Sequence, residues 1–176
     1  MRGQVWVETV IYTLIGLSLI GLVLSLVTPR INEYRDRATI EQTIESMSVI
    51  DGKINEVLQA PGNVRVVDFR MKQGALYFDA MNDTIFYVLD GTSAVYSEVG
   101  QEASIGRVSV LTERKGSDYT VTLTLPYSVN IDYSINQTVR KYTAASLPYR
   151  FSFTHEGFTL GETSRATVFV EEISGS

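Results

Sequence analysis

From Gln4 to Val27 the chain carries one ionisable side chain, Glu8, in a run otherwise dominated by Val, Ile and Leu. About 20 apolar residues in a helix match the hydrocarbon thickness of a bilayer, so this run is long enough to cross a membrane. A carboxylate inside such a span is expensive to leave unpaired, which makes Glu8 a functional candidate by default. The plainer alternative is a signal-anchor helix with Glu8 at the headgroup level. A secretory signal would end in a small-residue cleavage site, and Leu22-Val23-Leu24-Ser25-Leu26-Val27 offers none. The small residue that does follow a basic one is Gly3, ahead of the apolar run.

The helical pattern continues well beyond the span. Thr9, Thr13 and Gly16 fall on one side of a helical wheel, with Ser18, Gly21 and Ser25 roughly opposite. Small residues so spaced let neighbouring helices approach closely. Thr28-Pro29 is expected to kink or loosen the helix, because proline removes a backbone donor and crowds the preceding turn. Arg30, Glu33, Arg35, Asp36 and Arg37 then mark an exit into water. Ile40, Ile44, Met47, Ile50, Ile54 and Leu58 recur at three- and four-residue spacing, an amphipathic face, while Ile31, Tyr34 and Ala38 lie on another side. Pro61-Gly62-Asn63 is a stop. Read without a break, Gln4 to Gln59 makes a helix roughly 80 Å long at 1.5 Å per residue.

Beyond Asn63 the periodicity changes to that of strands. Val64–Lys72 and Ala75–Asp79 read as a hairpin around Gln73-Gly74, and Thr84–Asp90 follows Met81-Asn82-Asp83. The stretch to Gly106 is loop with one short strand. Arg107–Glu113 and Tyr119–Leu125 form a second hairpin, the latter alternating cleanly so that one face is buried and one wet. Val129–Ile135, Tyr149–Thr154 and Ala166–Ile173 bring the total to about eight strands. The expected class is therefore α+β: a long amino-terminal helix, then an all-β, antiparallel, sandwich-like head. The divisions are 1–3, a helix over 4–60 (membrane part 4–27, amphipathic part 28–60), and a head over 61–176.

Composition narrows the chemistry. A net charge of −5 gives no electrostatic footprint for nucleic acid. With no cysteine and one histidine, most metal and catalytic constellations are removed, and neither a cofactor nor an enzyme activity is indicated. His155 precedes Glu156-Gly157 at an expected turn and reads as a surface residue. Asp79, Asp83, Asp90 and Glu98 match no calcium-loop spacing. Tyr77, Tyr87, Tyr119 and Tyr133 are expected to cover sheet faces. Asn82-Asp83-Thr84 and Asn136-Gln137-Thr138 are candidate N-glycosylation sites at Asn82 and Asn136.

The start Arg2-Gly3-Gln4, with Glu8 four residues on and an apolar span behind it, resembles the precursors of archaeal type IV pilins (class III signal peptides). In that family the leader ends in a basic residue and glycine, and a Q-x-S-x-E-x-x-x-L pattern opens the mature chain. Gln4 and Glu8 match; Trp6 and Tyr12 stand where the pattern has serine and leucine. The resemblance implies cleavage by a prepilin peptidase between Gly3 and Gln4. It also implies a membrane-held precursor with its leader in the cytoplasm, and self-assembly with the pilus machinery into an extracellular adhesion filament, helices inside and heads outside. It lies nearer adhesion pilins than archaellins, whose pattern lacks the glutamate. Cleavage would free an α-amino group on Gln4, and in an apolar setting that ammonium and the Glu8 carboxylate of a neighbouring subunit are far cheaper paired than apart. The other readings are a single-pass anchored surface binding protein, or a minor pilin-like subunit of a secretion or uptake assembly.

Overall fold

The computed structural model describes residues 2–133, 139–159 and 165–173. One helix, α1 (Arg2–Val57), runs 56 residues and passes through Pro29 without interruption. The expected effect of Pro29 therefore stops short of a break. Nearby, the Thr28 hydroxyl donates to the Leu24 carbonyl (2.7 Å) and Ser25 Oγ to the Leu22 carbonyl (2.8 Å), so this turn is laced by side-chain bonds. The helix ends where the sequence places its stop, the Leu58 amide closing the last turn on the Ile54 carbonyl.

Ten strands follow among the described residues: β1 (Val64–Phe69), β2 (Ala75–Asp79), β3 (Thr84–Thr92), β4 (Glu102–Ile105), β5 (Val108–Lys115), β6 (Asp118–Pro126), β7 (Asn130–Tyr133), β8 (Val139–Thr143), β9 (Tyr149–Thr159) and β10 (Arg165–Glu172). They form a four-stranded sheet in the order β1-β9-β10-β7 and a six-stranded sheet in the order β4-β5-β6-β3-β2-β8. The sheets are antiparallel apart from the parallel β7–β10 pair. Aromatic side chains join them at one end of the sandwich: Phe78 meets Phe151 at 5.0 Å between centroids, and Tyr142 meets Phe151 at 4.8 Å. The six-stranded sheet is wider than its partner, and α1 completes the second layer. Ile40, Ile44, Met47, Ile50, Ile54 and Val57 are buried against it and against β1 and β9. The alternating inner residues of β3, β5 and β6, from Ile85 and Val108 to Leu125, supply the other side of this core. The amphipathic face is thus the expected one, with Val57 buried at its carboxy-terminal end and Leu58 only partly buried.

Three expectations change. β1 and β2 are not a hairpin: β1 pairs with β9, and β2 with β3 and β8. Phe69 and Met71 both point into the core, and the chain then crosses from one sheet to the other. Gly74 makes the corner at φ 73°, where a side chain would collide with the Tyr87 ring, and the Tyr87 hydroxyl donates to the Gln73 carbonyl (2.7 Å). The hairpin here is β2–β3, tied by Asp79, whose carboxylate accepts from the Met81 and Asn82 amides and from Asn82 Nδ2. Second, no turn interrupts the chain at Glu156-Gly157. β9 continues through it, with Gly157 opposite Thr167 and His155 opposite Val168, so Glu156 is the extra residue of a bulge. Third, β8 appears where no strand was expected. Val139-Arg140-Lys141-Tyr142-Thr143 is an edge strand, and its two cations hide the alternation that Tyr142 anchors from within.

Candidate assembly helix and processing site

The first half of α1 touches nothing in the head. Trp6 is 77% exposed and Leu17 61%, and every large apolar side chain from Trp6 to Val27 is exposed in the same way. The head begins at Asp36, whose carboxylate accepts from the Ser93 amide (2.7 Å), and at Arg37, whose guanidinium lies over the Tyr96 ring. The helix has the length and hydropathy of a membrane span near the amino terminus, and none of the most apolar stretch is buried in the chain itself.

Fully burying one such side chain is worth about 1.5–3 kcal/mol. Fifteen large apolar side chains between Trp6 and Val27 are exposed, each by roughly half to three-quarters, so on the order of 13–26 kcal/mol of favourable burial is left unrealised in one chain. That rivals the roughly 5–15 kcal/mol stability of a whole domain. Water is the wrong solvent for this half of the helix; lipid or neighbouring helices are the right one.

Hydroxyl groups of the segment are satisfied within the helix. Thr13 donates to the Thr9 carbonyl and Ser18 to the Leu14 carbonyl, both at 2.8 Å, so neither hydroxyl requires water. A Cβ added at Gly16 or Gly21 would meet nothing within 4 Å. Packing inside the chain does not demand these glycines, and their bare backbone faces outward. Glu8 is exposed and has no hydrogen-bond or ion-pair partner among the described residues. Gly3 and Gln4 lie in the first turns of α1.

The head holds the remaining candidates. Asn82 stands exposed in the β2–β3 turn, its side-chain nitrogen held by Asp79 at 2.8 Å. Asn136 lies outside the described residues. His155 is not on the surface: it is 1% exposed, edge-on to Phe158, with no hydrogen-bond partner at either ring nitrogen. The signal was present in Phe151-Ser152-Phe153-Thr154-His155, whose period of two turns His155 inward with the two phenylalanines. Asp79 and Asp83 serve the turn and its neighbours, Asp83 accepting from the Ile131 amide (3.0 Å) and pairing with Arg165 (2.9 Å). Among the described residues no group of three His, Cys, Asp or Glu side chains is arranged to hold a metal.

A polar cluster missed in the sequence, built on the buried Asp51, joins α1 to the six-stranded sheet. Asp51, on the core face of the helix, lies 3.6 Å from Arg107, which also sits over the Tyr127 ring. Burial and the neighbouring Asp51 carboxylate push the Tyr127 hydroxyl far above the usual tyrosine range. Arg107 precedes β5 and Tyr127 follows β6, so no local spacing links them. No family model, no curated protein and no solved structure matches this chain.

Proposed function

We propose that the chain is a structural pilin subunit, cut by a prepilin peptidase between Gly3 and Gln4 and polymerised through α1 into an extracellular adhesion filament. The supporting observation is the helix itself: its second half is an integral part of the head's core, and from Trp6 to Val27 it exposes a mainly apolar surface whose one charged side chain is Glu8. Before assembly that surface is held in the membrane; in the filament neighbouring helices take the place of lipid, with Gly16 and Gly21 allowing close approach. The Glu8 carboxylate pairs with the Gln4 ammonium of an adjacent subunit and sets the axial register. Asn82, exposed in its turn, is the glycan acceptor on the sheath.

Glu8→Gln tests the mechanism. It keeps the shape and leaves the ammonium without its partner, a loss of about 3–5 kcal/mol for a buried pair against about 0–1 for an exposed one. Because every added subunit incurs that loss, filaments should be few or absent while subunits are still made, inserted and cut. The measurements are mass spectrometry of the amino terminus and filament number by electron microscopy. Normal filaments in normal number would refute the pairing. A bulky residue at Gly3 should block cleavage altogether, and filament protein that retains Met1 to Gly3 would refute the whole assignment in favour of a signal-anchored surface protein.

A further inference from the structure

The acceptor motif Asn82-Asp83-Thr84 lies at the β2–β3 turn, and the fold engages all three of its residues. Asn82 Nδ2 donates to the Asp79 carboxylate at 2.8 Å, and the same carboxylate accepts from the Met81 amide (2.9 Å) and the Asn82 amide (3.1 Å). An ionised carboxylate only accepts, so the end of the Asn82 amide that faces it is the nitrogen, the atom to which a glycan is joined. Asp79 is buried, which closes this side of Asn82 to an enzyme.

Asp83 is held at more points. Its carbonyl accepts from the Tyr127 amide (2.9 Å), one carboxylate oxygen from the Ile131 amide (3.0 Å), and the other from Arg165 (2.9 Å). It is also the one non-glycine residue at positive φ (49°) among the described residues. In an extended chain, residues two apart project to the same side, which lets one enzyme meet the asparagine and the hydroxyl together. A left-handed residue between them removes that alignment. Thr84 meanwhile opens β3 and lies between Asp79 of β2 and Pro126 of β6.

These contacts form at different times. The Asp79 bond spans three residues and comes with the β2–β3 hairpin, but a lone hairpin is marginal in water and reopens. The Asp83 contacts wait for β7 and β10, and Arg165 lies 82 residues further along the chain. At about 5–20 residues per second, synthesis takes roughly 4–16 s to reach it. During that interval the motif is free to extend.

We propose that Asn82 is glycosylated only before the head closes, and that assembly of the two sheets around the motif ends the period in which the site accepts a glycan. The inference rests on Asn82 being the glycan acceptor and is independent of filament formation. The donor is an oligosaccharide carried on a lipid phosphate and used by a transferase. Asn82 Nδ2 attacks the anomeric carbon, and the new C–N bond forms as the C–O bond to phosphate breaks. The lipid phosphate leaves with that electron pair, and one Nδ2 proton passes to a base of the transferase. The other Nδ2 proton stays, so the finished side chain still donates to Asp79 and the turn closes with the glycan in place. Asn82 is exposed, which leaves room for the sugar.

The full chain, made in cells that lack the transferase and folded in detergent, provides the test, with Asn136→Gln leaving one acceptor motif. It is incubated with a transferase that recognises N-x-[ST] and its lipid-linked donor, beside a peptide spanning Phe78 to Val88. Mass spectrometry follows the added glycan. The peptide should be modified, and the folded chain at least roughly tenfold more slowly, the factor for breaking one hydrogen bond to a carboxylate. Asp79→Ala frees the nitrogen and should speed modification of the full chain, while circular dichroism reports whether the strands persist. In glycosylating cells, a labelled pulse should show the glycan arriving during synthesis, with no further gain in the chase. A folded chain modified as fast as the peptide would overturn the proposal, and so would a glycan gained late in the chase. A peptide left bare would remove Asn82 as the acceptor, and the timing with it.

Discussion

Ile50 lies at zero exposure in the middle of the helix face turned into the head. Aspartate there places a charge among Met47, Ile54 and the inner residues of the sheet, which should cost several kcal/mol. Thermal or denaturant unfolding reads the loss, and an unchanged midpoint would mean that this face is not core. Two tyrosines make a second expectation at the same scale. Burial raises the hydroxyls of Tyr87 and Tyr142 to about 12 each, although Thr43 beside Tyr87 and Arg140 beside Tyr142 act the other way. The unfolded chain loses these protons near pH 10, before the folded one does. Their contribution to stability is therefore complete below about pH 10 and is lost as pH rises towards 12. Tyr87→Phe should flatten that alkaline fall, as measured by denaturant midpoints across the window. At the acid end, burial raises the Asp79 carboxyl, but its bonds from Asn82 and Met81 outweigh burial and hold it below the usual range.

Among the elements, the crossing from β1 to β2 is the most exacting. Gly74 combines a positive φ with the Tyr87 ring where a side chain would go. Gly74→Ala should destabilise the head by about 1 kcal/mol or more from the backbone alone, with displacement of Tyr87 adding to it. The observable is a lower melting temperature together with altered tyrosine absorbance, and wild-type values of both would refute the account. This crossing also shows where the sequence ceased to be readable. The helix, its end and its buried face followed from spacing, and the β5–β6 hairpin from alternation flanking Lys115-Gly116-Ser117-Asp118. Gln73-Gly74 carried the same turn signal as a hairpin, and only the pairing of β1 with β9, some 85 residues away, distinguishes corner from turn. The Asp51–Arg107–Tyr127 cluster was hidden for the same reason, its logic being long-range, whereas β8 was hidden locally by Arg140 and Lys141. At the assembly helix the apolar run and Glu8 were plain from composition, whereas the freedom of Gly16 and Gly21 from internal packing required the fold.

At the scale of the whole molecule, the chain divides by solvent rather than by element, since α1 belongs to both parts. A fragment beginning at Glu33 keeps every buried helix residue and discards the exposed apolar run. It should be soluble, β-rich by circular dichroism with one helical segment, and cooperative in unfolding; a fragment beginning at Asn63 lacks the layer that covers β3, β5 and β6 and should aggregate. The shared helix has a mechanical consequence. No flexible linker lies between the apolar run and the head, so tension applied to one enters the other through a continuous hydrogen-bonded rod. Its last turns are gripped along their length by Ile40 to Val57, and a pull along the axis must slide the whole row at once rather than peel it residue by residue. Such a joint has almost no slack at low load, and above its limit it yields abruptly by opening the head.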